Sequence, residues 1–256
     1  AQDTLHHWER YQCCRLSLEG LQWIQISDWR TTNEVIEKPP QGTPVYCAID
    51  FSKSFDITSM AYGYWLNGKI NVKWHHWVVK DQHVKSVKRD YQRFVDNWDC
   101  HDNVTICAHT IQYDSVKAKL EELKGWGDLR RIGFDAFGGM ATEIQQWGNL
   151  EDSYNPDTDL PMWPLPQTIM SMGPSTYLLE SLIRHKSIAM EQDDIVEYAL
   201  ANVQLEKNIN GDRRPSKLRS MGIIDPVVAC VMLCGVLIKE GAERPGAYFD
   251  AGDIAC

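Results

Sequence analysis

The chain has no run of roughly eighteen or more apolar residues, which excludes an ordinary transmembrane helix. Its longest apolar stretch, residues 227–238, is too short to span a bilayer and reads as a buried helix. No basic segment followed by an apolar one stands near the start, so no signal peptide is visible. CxxC pairs and HxxxH motifs are absent, which removes the common zinc-binding spacings. The phosphate-cradling pattern GxxxxGK[ST] is also absent, so ATP hydrolysis by a P-loop is excluded. There is no internal repeat and no low-complexity tract. Positive charge is in deficit: the net charge of −9 argues against a broad nucleic-acid-binding face. It does not argue against a metal centre, which needs carboxylates and whose bound cations offset their charge.

What is present is enough apolar material for one sizeable core, with 43% hydrophobic residues in 256. Of the 8 cysteines, Cys47, Cys107, Cys230 and Cys234 fall inside apolar strand or helix patterns, where a free thiol behaves as a small hydrophobe. That usage points to a reducing, cytoplasmic compartment.

Residues 1–42 read as an entry segment, either packed on the main domain or serving as a linker, that ends at the breaker Lys38-Pro39-Pro40-Gln41-Gly42. Strands are expected over 43–51, 58–66 and 69–79, with Asn67-Gly68 as a two-residue hairpin turn. A polar helix is expected over 84–98, a short strand over 104–108 and a helix near 115–123. A strand follows over 129–134, and Gly138-Gly139 opens a helix running through Trp147. A loop over 148–160 and an extended piece over 161–166 come next. Pro174 suits the first turn of a helix running to Arg184, and another helix lies near 195–201. Residues 203–217 form a hairpin centred on Asn210-Gly211, and the last helix spans 226–238 before a mobile tail over 239–256. The order β-β-β-α-β-α-β-α implies an α/β fold with a ribonuclease H-like mixed β-sheet flanked by helices, over residues 43–238.

Three aspartates sit at the ends of apolar runs. Asp50 closes Val45-Tyr46-Cys47-Ala48-Ile49, Asp135 closes Arg131-Ile132-Gly133-Phe134, and Asp225 follows Ile223-Ile224. A carboxylate at the end of a buried strand is costly unless compensated. Three brought together offer the hard oxygen donors that Mg2+ or Mn2+ prefers. Such a set can hold two ions for phosphodiester hydrolysis, one activating water and one stabilising the leaving oxygen. The plainer readings are turn residues for Asp50 and Asp135 and a helix N-cap for Asp225 beside Pro226.

Several ordered stretches extend the pattern. They are Asp50-Phe51-Ser52 with Asp56-Ile57-Thr58, then Ile111-Gln112-Tyr113-Asp114, then Ile132-Gly133-Phe134-Asp135. Pro166-Gln167 with Met170-Ser171-Met172 comes next, and finally Asn202, Asn210-Gly211, Pro215-Ser216-Lys217 and Ile224-Asp225. Together they resemble the nuclease domain of a tailed-phage terminase large subunit of the HK97-like group, over about residues 43–238. Residues 1–42 are similar to the linker that follows that family's ATPase domain. The resemblance implies a divalent-metal-dependent endodeoxyribonuclease that cuts double-stranded DNA during viral genome packaging, in the host cell cytoplasm. It implies as partners the portal protein, the small terminase subunit and the ATPase domain, and no membrane. The competing readings are another ribonuclease H-like nuclease, such as a resolvase or transposase core, and a non-cleaving module that docks on DNA or portal.

Catalysis and metal binding are therefore expected at Asp50, Asp135 and Asp225, with Asp56 as a further candidate ligand. Ser52, Gln167 and Asn202 are candidates for orienting the site or its substrate. Lys207, Arg213, Arg214, Lys217 and Arg219, on the hairpin just before Asp225, are expected to contact the phosphate backbone, Lys217 foremost. Such contacts carry no base information, so cleavage should have little sequence specificity. The plainer reading of that hairpin is a solvated charged loop. His75 and His76 alternate across a strand and cannot readily share one ion, so they and His6-His7 read as structural or surface residues. Most of the 10 tryptophans are expected to fill the core or line a partner surface.

Overall fold

The computed structural model describes residues 22–52, 57–80, 101–135, 144, 146–149, 154–220 and 222–241. The expected helices over 84–98 and from Gly138, and most of the expected tail, lie outside or largely outside the described residues.

Three long strands open the domain: β1 (Pro44–Asp50), β2 (Thr58–Leu66) and β3 (Lys69–Val79). They form an antiparallel meander. Between β2 and β3 the chain reverses at Asn67 and Gly68, with φ of 53° and 77°. Two successive left-handed residues match the right-handed twist of the strands, which is why Asn-Gly marks the reversal. Next come β4 (Val104–Cys107), α1 (Tyr113–Lys124) and β5 (Asp128–Phe134). After them lie β6 (Met162–Pro164), α2 (Ile169–Arg184), β7 (Ile188–Met190) and α3 (Asp194–Asn202). The strands β8 (Leu205–Lys207) and β9 (Arg213–Pro215) form the expected hairpin, a two-stranded sheet of its own, and α4 (Asp225–Lys239) ends the described chain. A short helix at Ile26–Arg30 precedes β1.

The main sheet runs β4-β3-β2-β1-β5-β6, with β7 added beside β3. Only the β1–β2 and β2–β3 pairings are antiparallel; β4, β5, β6 and β7 join in parallel. β1 is thus central and covered on both faces, which explains its almost unbroken apolar run. Alternation divides its side chains. Val45, Cys47 and Ile49 face the core beneath α1, whereas Tyr46 and Ala48 face the core built on α2, α3 and α4.

α4 lies against β1, β2 and β5 and is buried from Asp225 to Leu237. Its approach is close at Gly133 of β5, where an added Cβ would stand 2.6 Å from Val236 Cγ2. Among the described residues no helix is long and apolar enough to cross a membrane. Residues 22–42, the described part of the expected linker, pack onto this body. Trp29 is buried against Trp74 with ring centroids 6.2 Å apart, and Arg30 pairs with Glu197 at 2.7 Å.

Two local expectations need correction. Pro174 lies inside α2 instead of opening it, because Thr168 caps the helix by accepting the Ser171 N–H at 3.2 Å. The buried Met172 and Gly173 bind the first turns to the core, and this packing offsets the hydrogen bond that Pro174 cannot donate. Asp225 is not the cap of α4. Ile224 holds the N-cap position without a side-chain hydrogen bond, and Asp225, in the first turn, directs its carboxylate elsewhere.

Candidate active site

The end of β1 and the start of α4 meet where strand alternation requires it. Asp50 shares the parity of Tyr46 and Ala48, so its carboxylate turns to the α4 face. α4 presents its N-terminus there, and the partial positive charge of a helix start favours the carboxylate of Asp225 in its first turn. Both aspartates are buried, 2% and 1% exposed.

Lys217 joins them. Its Nζ lies 2.7 Å from Asp225 Oδ1, to which it donates a hydrogen bond, and 2.9 Å from Asp50 Oδ2. The second contact is an ion pair without hydrogen-bond alignment, so Asp50 Oδ2 is a buried oxygen with no aligned donor. Asp50 Oδ1 accepts from Gln167 Nε2 at 2.8 Å, and the same amide nitrogen lies 3.4 Å from Met232 Sδ. The Gln167 carbonyl in turn accepts from Arg214, which is held by Glu206 at 3.0 Å. Burial pushes the Asp50 carboxyl up to about 7; the Lys217 ammonium pulls it back and the Asp225 carboxylate adds to the rise. Burial alone would lower the Lys217 ammonium, but Asp50 and Asp225 raise it above its ordinary value.

Asp135 follows β5, the parallel neighbour of β1, and the Ile49–Phe134 register places it beside Asp50 at the same end of the sheet. It is half-buried and carries the parity of Gly133, which faces α4. Among the described residues no three His, Cys, Asp or Glu side chains converge tightly enough to hold a metal ion as they stand. The donor set nevertheless suits a hard divalent cation. Two buried carboxylates converge on one cationic position, held by an ammonium, and one of their oxygens lacks an aligned donor. Asp56 lies outside the described residues.

The other expected residues sort differently. Gln167 does orient Asp50. Ser52 is buried just beyond β1, its N–H donating to Thr58 Oγ1 at 2.9 Å and its carbonyl accepting from Tyr113 at 3.1 Å. Asn202 donates to the Tyr198 carbonyl at 2.8 Å and packs against Gly222, supporting the approach to Asp225. In the hairpin, Arg213 pairs with Glu180 and lies over the Tyr177 ring at 4.7 Å, while Arg214 is engaged by Glu206 and Gln167. Lys207 and Arg219 are exposed, and Lys217 is directed at the two aspartates. Sequence reasoning missed the bridging position of Lys217, although two buried carboxylates demand a compensating cation. It also missed Met232, two turns beyond Asp225 in α4.

His75 and His76 lie on opposite faces of β3. His75 Nε2 contacts Thr105 Oγ1 at 2.8 Å, and burial first, then Lys119, pushes the imidazole down to about 3. His76 contacts Ser59 Oγ at 3.0 Å and Asp193 Oδ2 at 3.1 Å, fully buried. These contacts tie α3 to the sheet, since Asp193 also caps α3 through the Ile195 and Val196 N–H groups. Cys47, Cys107, Cys230 and Cys234 are free and buried, and Trp29, Trp74 and Trp77 are core residues.

Residues 5–240 match the family described as "Terminase large subunit, endonuclease domain". The large terminase subunit of Enterobacteria phage HK97 is 25% identical over 232 residues, 89% of this chain and 44% of that protein. The crystal structure of the HK97 large terminase superposes with a TM-score of 0.70 at 22% identity, covering 84% of this chain and 43% of that one. The large terminase nuclease of thermophilic phage G20c, solved with bound magnesium, gives a TM-score of 0.50 at 15% identity, over 78% of this chain and 85% of that one. The chain thus spans under half the length of the HK97 protein it matches.

Proposed function

Because the chain belongs to the family of terminase large-subunit endonuclease domains, we propose that it is a divalent-metal-dependent endodeoxyribonuclease that cuts double-stranded DNA during viral genome packaging. The observation that carries this reading is the convergence of buried Asp50 and Asp225 on a single cationic position at the end of β1. Asp50, Asp135 and Asp225 would hold two Mg2+ or Mn2+ ions, and Asp56 is a further candidate ligand. The magnesium bound to the G20c nuclease supports that choice of metal class. When bound, such ions supply Lewis-acid stabilisation of phosphate oxygens and a nucleophilic water at neutral pH.

The chain's own residues do the positioning. Gln167 fixes the Asp50 carboxylate by its hydrogen bond to Oδ1, leaving Oδ2 to face Lys217. Arg214 holds the Gln167 backbone, and so orients Asp50 through one intermediary. Exposed Lys207 and Arg219 offer charge to the phosphate backbone, which would position DNA without reading bases. In the full-length protein the ATPase domain, the small subunit and the portal would deliver the DNA, in the cytoplasm of the infected cell.

The test is cleavage of supercoiled plasmid with Mg2+, Mn2+ or EDTA, beside Asp50→Asn and Asp225→Asn. Metal-dependent nicking and linearisation, lost in both variants, is the expected result. Activity that survives both substitutions would remove these aspartates from the mechanism. A second reading, a non-cleaving docking module, is favoured by one observation: the Lys217 ammonium offsets part of the charge of the aspartate pair. That module would bind DNA equally well in Mn2+ and in EDTA.

A further inference from the structure

The ammonium of Lys217 occupies the place between two metal-ligand candidates. Its distances of 2.7 and 2.9 Å to Asp225 Oδ1 and Asp50 Oδ2 are those of a tight ammonium–carboxylate pair. A divalent cation would use the same two oxygens at roughly 2.0–2.6 Å. Both cations cannot share that space, since like charges at such a separation repel strongly in a buried site.

The surroundings allow the lysine to leave. Lys217 lies on the segment between β9 and α4, with its side chain 43% exposed, and its neighbour Leu218 is 99% exposed. The backbone here is fixed independently of the ammonium: Ser216 is buried, and its carbonyl accepts from Ser220 N at 3.0 Å and from Ser220 Oγ at 2.7 Å. A flexible four-carbon stem can therefore swing its head into solvent without unfolding the loop. The Asp50 side of the bridge is the weaker one, lacking hydrogen-bond alignment, while Gln167 keeps Asp50 oriented from the other oxygen.

We propose that Lys217 is an exchangeable counter-cation of the metal site, holding Asp50 and Asp225 together until a divalent ion displaces its ammonium. The inference rests on the metal-dependent reading above and deepens it: Lys217 sets the affinity of the first ion. It is a positioning residue whose removal strengthens metal binding.

The experiment is calorimetric titration of this chain with Mn2+, comparing wild type with Lys217→Gln and Asp225→Asn. Circular dichroism melts establish that each variant is folded. Removing one adjacent positive charge should tighten Mn2+ binding roughly tenfold or more in Lys217→Gln, and Asp225→Asn should lose it. In parallel, the wild-type 15N spectrum of lysine side chains should show a protected Lys217 ammonium in EDTA that disappears on adding diamagnetic Mg2+. Equal or weaker binding by Lys217→Gln, or an ammonium signal that persists at saturating Mg2+, overturns the exchange; the metal site itself then stands if Asp225→Asn abolishes binding. Absence of Mn2+ binding in both wild type and Lys217→Gln overturns the metal reading and the inference with it. If Lys217→Gln does not fold, the wild-type ammonium signal decides.

Discussion

Replacing Asp50 by Asn should make the metal-free domain more stable in alkaline solution, relative to wild type, than in acid. Burial raises the Asp50 carboxyl from 3.8 to about 7 in the folded state. A raised pKa means that the folded chain holds this proton more tightly than the unfolded chain. The associated stability is full below the unfolded value, and it is lost as pH rises through the folded value. The whole shift corresponds to roughly 4 kcal/mol. Integrated between about pH 5 and about pH 8, the wild type should lose roughly 3 kcal/mol that the Asn variant keeps. Asn retains an oxygen for Gln167 and removes the titration together with the ion pair to Lys217. Urea unfolding in EDTA at several pH values measures it, because titrating groups distant from Asp50 cancel in the difference between the two proteins. Parallel stability profiles would refute the argument. Mn2+ at about a hundred times its Kd should return roughly 2.7 kcal/mol to wild type at alkaline pH and little to the variant.

Two further substitutions test the framework around the site. Gly133→Ala places a Cβ 2.6 Å from Val236 Cγ2, where α4 crosses β5; urea denaturation should show a loss of about 1–3 kcal/mol. At Asp193, burial works to raise the carboxyl, but His76, the Val196 N–H and Asn103 together hold it down at about 2. A lowered carboxyl contributes stability above the unfolded value and loses it as pH falls through the folded one. Asp193→Ala should therefore lower the melting temperature at neutral pH and flatten the loss of stability between about pH 4 and about pH 2, followed by circular dichroism. An acid profile unchanged from wild type would show that the His76–Asp193 contact does not contribute.

Local patterns carried much of the fold. β2 and β3 have the bounds expected from alternation and the Asn67-Gly68 reversal, because strand period and turn chemistry are properties of adjacent residues. The hairpin at Asn210-Gly211 followed from the same logic, with φ of 89° at Gly211. The opening of α2 did not, because a proline signal competed with Thr168 and with a buried first turn whose partners are distant in sequence. Asp225 looked like a cap for a similar reason: its neighbours Ile224 and Pro226 are local, whereas the ammonium that claims its carboxylate arrives from another segment.

Residue order alone was enough to place carboxylates at strand and helix ends, to mark β1 as apolar enough to be central, and to reveal the ordered motifs of a phage terminase nuclease. Which charges meet was fixed by packing. Gln167 reaches Asp50 from 117 residues away, and Lys217 turns into the site while Arg213 and Arg214 are taken by Glu180 and Glu206. The physical reason is that a charged side chain has no local preference strong enough to choose its partner. That choice follows from which oxygens are buried without compensation, and burial is a property of the packed chain.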